Sequence, residues 1–110
     1  MKVIIVRPLE EPVAAEIEPG LKPIQEIVGG YIQAVYPFEE PVALICNEEG
    51  KLLGLPLNRA LRTESGEIYD VIAGTFLLCG APPDSDHFTD LTQEQLETYL
   101  RRFRLPEFYL

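Results

Sequence analysis

Apolar residues in this chain come in short runs, each closed by proline, glycine or a polar turn, and none approaches the roughly 20 residues that span a bilayer. Such runs fit strands and short helices packed around one core. Residues 3–6 are β-branched throughout and read as a strand covered on both faces. Val13, Ala15 and Ile17 alternate with Ala14, Glu16 and Glu18, the period of a strand with one wet face, and the two are expected to pair across residues 8–12. Leu21, Ile24, Ile27 and Val28 share one helical face, and Gly29-Gly30 then supplies a left-handed stop. Residues 31–36 and 42–46 read as further strands, and residues 75–79 as a central one, with Gly74 marking a bulge or a close backbone approach.

Two loops punctuate the middle. Residues 47–50, "NEEG", lie between apolar runs and predict a hairpin turn leading into a strand over 51–53. After Gly54-Leu55-Pro56, the spacing of Leu57, Ala60 and Leu61 predicts about one helical turn, with Asn58 and Arg59 facing solvent or a cleft. Residues 62–67 form another turn. Near the end, Thr92 and Gln95 make a capping box, Leu91 and Leu96 a hydrophobic staple, and Leu96, Tyr99, Leu100 and Phe103 an apolar stripe. The expected fold is α+β: a single domain over residues 1–110, with a mainly antiparallel sheet of about five strands, one short helix and one longer C-terminal helix.

Charge narrows the function. Eighteen acids against nine bases give a net charge of −9, which disfavours binding to nucleic-acid phosphates and favours a basic partner. Arg101, Arg102 and Arg104 are the one basic cluster, and the C-terminal end of a helix explains the first two. Asp84, Asp86, Asp90, Glu94 and Glu97 could form a short acidic stripe. The apolar tail with Phe108 and Tyr109 would dock on the domain or on a partner. The only two cysteines, Cys46 and Cys79, fall in apolar runs, so reduced, buried thiols with raised pKa are expected, and with them a cytoplasmic location.

Bond-making chemistry is poorly represented. Asp84, Asp86, His87 and Asp90 lack the glycine and distal glutamate of a calcium loop, and one histidine is too few for a typical zinc site, so no metal or cofactor is expected. Cys–His catalysis would have to draw on a thiol lying in a buried strand. The remaining polar pair is Asn58 and Arg59, which could grip a carboxylate or phosphate, or else make a surface ion pair and a local backbone cap.

Three ordered motifs, "VGGYIQAVYPF", "ALICNEEGKLLGLPLNRAL" and "IYDVIAGTFLLCG", resemble a family of small proteins of bacteria, phages and mobile elements catalogued as a domain of unknown function. The likeness covers most of residues 2–80. Its motifs gather at Asn47, Gly50, Asn58, Arg59, Gly74 and Thr75. Some relatives occur near antirestriction genes, which implies a role in the contest between mobile DNA and host defence. Three readings follow, the last being an enzyme, for which no catalytic residue is nominated. The first is a non-catalytic interaction protein, an inhibitor or adaptor that meets a host protein through Asp84, Asp86, Asp90, Glu94, Phe108 and Tyr109, without a membrane. The second is a module for a small anionic ligand or nucleotide, held by Asn58 and Arg59 with Asn47 and Thr75.

Overall fold

A computed structural model describes residues 1–107. In chain order the elements are β1 (Lys2–Val6), β2 (Val13–Glu16), α1 (Leu21–Val28), β3 (Ile32–Val35), β4 (Val42–Asn47), β5 (Leu57–Arg62), β6 (Ile68–Ala73), β7 (Phe76–Gly80) and α2 (Gln93–Arg102). Five strands form an antiparallel sheet in the order β2-β1-β7-β4-β3, while β5 and β6 pair as a separate two-stranded ribbon. The α+β expectation holds, with the 75–79 run in the centre of the sheet as β7.

The sheet is covered on both faces. Val3, Ile5, Ala43, Ile45, Leu77 and Cys79 pack against Ile24 of α1. Alternate residues, including Ile4, Val6, Leu44, Phe76 and Leu78, pack on the other face against Leu61 and Ile72 of the ribbon and Leu91, Tyr99 and Phe103 of the α2 segment. That period-2 split is why the three inner strands read as continuous apolar runs. Phe103 stacks edge-on against Phe76 with centroids 5.5 Å apart, and Tyr99 donates to Glu40 at 2.6 Å.

Helix boundaries follow local chemistry. Gly29 adopts φ 83°, and the amides of Gly29 and Gly30 both return to the carbonyl of Gln25. At α2, the Thr92 side chain accepts from the Gln95 amide while the Gln95 side chain accepts from the Thr92 amide, so the capping box is complete.

Two local expectations fail. Residues 51–53 are not a strand: β4 ends at Asn47 and a compact series of turns carries the chain to Gly54. Residues 57–61 are not a helical turn but strand β5, which pairs with β6 through register shifts between Leu57 and Arg59 and between Leu61 and Arg62. The irregularity breaks the two-residue period and leaves an apolar spacing that mimics a helix. Beyond β6, Gly74 at φ 80° redirects the chain from ribbon to sheet, and a Cβ there would sit 2.7 Å from the Leu55 side chain. The close approach expected at this glycine is present.

Candidate functional site

The exposed polar pair of the sequence lies in the interior. Asn58 and Arg59 are 0% and 1% accessible. Asn58 donates through Nδ2 to the carbonyls of Val6 and Gly74, both at 2.9 Å. Arg59 donates through Nε and Nη2 to the Phe103 carbonyl, through Nη2 to the Glu10 carbonyl at 2.6 Å, and through Nη1 to Asn58 Oδ1 at 2.8 Å. The pair therefore ties the ribbon to β1, to the β1–β2 connection and to the C-terminal end of α2. A guanidinium suits that last position because carbonyls at a helix C-terminus lack intrahelical partners and carry partial negative charge. Asn58 and Arg59 thus face the interior, not solvent or a cleft as their spacing suggests, and an external anion would have to displace these carbonyls.

The two other nominated ligand residues divide similarly. Asn47 is buried; its Nδ2 donates to the Val28 carbonyl at the end of α1, and its Oδ1 accepts from the Glu49 amide at 2.8 Å. It is a turn-former and helix tie in one side chain. Thr75 is half-buried in the link between β6 and β7.

The acids each have a local setting. Asp90 accepts from the Lys2 amide at 2.9 Å and fastens the loop to β1. Glu94 sits in the first turn of α2, where the helix dipole favours a negative charge. Asp84 and Asp86 are exposed in the loop after β7. Phe108 and Tyr109 lie outside the described residues. Among the described residues, no three His, Cys, Asp or Glu side chains converge as a metal-binding group.

That loop nonetheless borders a concavity of about 550 Å³ at the end of the sheet where β1 begins and β7 and β3 finish. Leu21 and Ile24 of α1, Ala81, Pro82 and Phe88 give it an apolar lining, and Tyr36, Ser85, Asp86 and His87 add polar groups. Leu21 and Tyr36 are 55% and 63% exposed, so apolar surface continues from the interior to the solvent. An apolar concavity is the usual form of a binding site, and here the His87 and Asp86 side chains stand exposed at its rim.

Ser85, Asp86 and His87 invite a catalytic reading that the geometry does not support. Ser85 Oγ and Asp86 Oδ1 lie 3.2 and 3.1 Å from the same ring nitrogen, Nδ1. A base that activates a hydroxyl needs the nucleophile on one nitrogen and the orienting carboxylate on the other. Ser85 Oγ also bonds the backbone of His87, as a turn side chain does. The hydrogen bond from His87 holds the Asp86 carboxyl below its ordinary range. Both thiols are raised: burial pushes Cys79 up to about 12, and burial followed by the nearby Asp70 carboxylate raises Cys46, against a smaller lowering by Lys51. Thiolate chemistry is suppressed at both.

Sequence reasoning missed the cavity because its walls come from residues 1, 19–24, 36 and 81–88, which no local spacing connects. The one available signal was Pro82-Pro83, two apolar residues inside an otherwise acidic loop.

Fold and cavity define a class: a small α+β domain with one helix on the first face of an antiparallel sheet, and a helix and ribbon on the second. Among the described residues no helix is long and apolar enough to cross a membrane. The chain belongs to the family described as a domain of unknown function, DUF3846, whose model matches residues 1–104. Curated proteins and solved structures give no match to it.

Proposed function

We propose that the protein is a non-catalytic interaction module, and that a partner protein seats an apolar side chain in the cavity between α1 and the loop after β7. The observation that carries this reading is the preformed 550 Å³ cavity with Leu21 and Tyr36 exposed beside it. Asp84 and Asp86 stand at the same loop, so basic groups flanking the inserted side chain would meet them, and the net charge of −9 would speed encounter with a basic partner. An inhibitor or adaptor acting on a host protein, carried by a mobile element, is the role such a module would serve.

The test compares capture of partners from host lysate by the wild type, by Leu21→Arg, and by the double variant Asp84→Asn, Asp86→Asn. A partner that uses the cavity is lost with Leu21→Arg. With the double variant it binds more slowly and depends less on salt. A partner retained at full strength by Leu21→Arg and by Tyr36→Arg contradicts the proposal.

A further inference from the structure

Strand β3 is an outer strand of the sheet, with β4 as its single neighbour among the described residues. The Glu48 amide donates to the Tyr31 carbonyl, so positions 31, 33 and 35 exchange hydrogen bonds with β4. Ile32 and Ala34 consequently turn their N–H and C=O groups away from the sheet. Outer strands are usually guarded by charge, proline or a bulge. The opposite edge has such guards: β2 carries Glu16 and lies between Pro12 and Pro19. The sequence of β3, Ile-Gln-Ala-Val, has no charge or proline within it; Pro37 follows only at its far end, and the exposed Tyr31 and Tyr36 bracket the strand.

We infer that β3 accepts an extended, basic segment of the partner as an additional strand. This deepens the proposed function and rests on it, because Tyr36 at the end of β3 also lines the cavity. Residues of the incoming strand that lie opposite Ile32 and Ala34 direct their side chains to the same face as those two, which is the α1 face. An apolar side chain at the next such position continues toward the cavity beyond Tyr36. The segment is basic because acids stand at both ends of the edge: Glu48 is bonded beside Tyr31, and Glu39 follows Tyr36 in the loop to β4. The same charges argue against a second copy. Antiparallel self-pairing would bring the Glu48 end of one β3 against the Glu39 end of the other, between two molecules each carrying −9.

The probe is a capped peptide of alternating lysine and leucine, followed by amide hydrogen exchange and NMR shifts. At about ten times its dissociation constant it slows exchange at Ile32 and Ala34 about tenfold, the ratio of total to free protein. Methylating the leucine amides abolishes the effect, since those N–H groups face β3; methylating the lysine amides, which face away, does not. Ala34→Pro removes one outward N–H, keeps the bonds to β4, and weakens the protection at Ile32. Should that variant fail to fold, the pair of methylated peptides decides. Unchanged exchange at Ile32 and Ala34 while Leu21 and Ile24 shift overturns strand addition and leaves the cavity reading standing. Silence at both places at millimolar peptide counts against both. Protection that appears without peptide and grows with protein concentration identifies a second copy as the occupant and overturns the inference.

Discussion

Replacing Arg59 by methionine separates an internal tie from a ligand grip. The change keeps most of the side-chain volume and removes every N–H. Left without this donor are the carbonyls of Phe103 and Glu10 and the side-chain oxygen of Asn58. A buried acceptor stripped of its partner costs about 1–3 kcal/mol. Glu10 is exposed, so water can reach its carbonyl, and burying a guanidinium has its own desolvation cost that the substitution relieves. The low end of the range is therefore appropriate, and the expected loss is about 3–5 kcal/mol. That is a large share of the roughly 5–15 kcal/mol that holds a domain together. Urea unfolding followed by circular dichroism reads it as a fall in midpoint at unchanged slope. Arg59→Lys, with a single ammonium in place of a planar fork, recovers part of the loss. A loss below about 1 kcal/mol for Arg59→Met would refute the account of Arg59 as a structural tie.

Further outcomes concern the centre of the sheet and the two chain reversals. The Cys79 thiol, raised from 9.0 to about 12 by burial, keeps its proton in the fold where the unfolded chain loses it. Its contribution is therefore complete below about pH 9 and declines as pH rises toward 12, by about 1.4 kcal/mol per pH unit. Cys79→Ala makes the stability–pH curve flatter between pH 9 and the onset of phenol titration at Tyr99, which burial first and Glu40 second also raise. Thiol labelling of Cys79 in the native protein proceeds only through unfolding. Gly74→Ala places a Cβ at φ 80° and 2.7 Å from Leu55, and thermal unfolding should report a loss of about 1–3 kcal/mol. Thr92→Ala deletes one arm of the capping box and costs about 1 kcal/mol, with exchange accelerating in the first turn of α2.

Elements governed by short-range rules were legible in the sequence. The α1 boundaries follow from an apolar face and a double glycine, and the α2 start from Thr92 and Gln95. The apolar runs that became β1, β4 and β7 carried enough side chains for both faces of a covered sheet. The ribbon was misread for a physical reason. Four consecutive residues of β5, Asn58 to Leu61, are buried because one side packs toward the sheet and the other meets the end of α2. With both sides covered and the register interrupted, no alternation survives, and arginine is ordinarily an exposed residue. Only the tertiary placement of Phe103, Val6 and Glu10 reveals that Asn58 and Arg59 face inward. The cavity was hidden for the opposite reason: each of its residues looks ordinary in its own segment, and the concavity exists only where four segments meet.

The interaction reading stands or falls on where a captured partner touches the molecule. Isotope-labelled protein titrated with that partner should show shifts and line broadening at Leu21, Ile24, Ala81 and Phe88, with the effect removed by Leu21→Arg. Perturbation confined to the exposed side chains Leu52, Leu53 and Tyr69 beside and on the ribbon, with the cavity resonances unmoved, would contradict it.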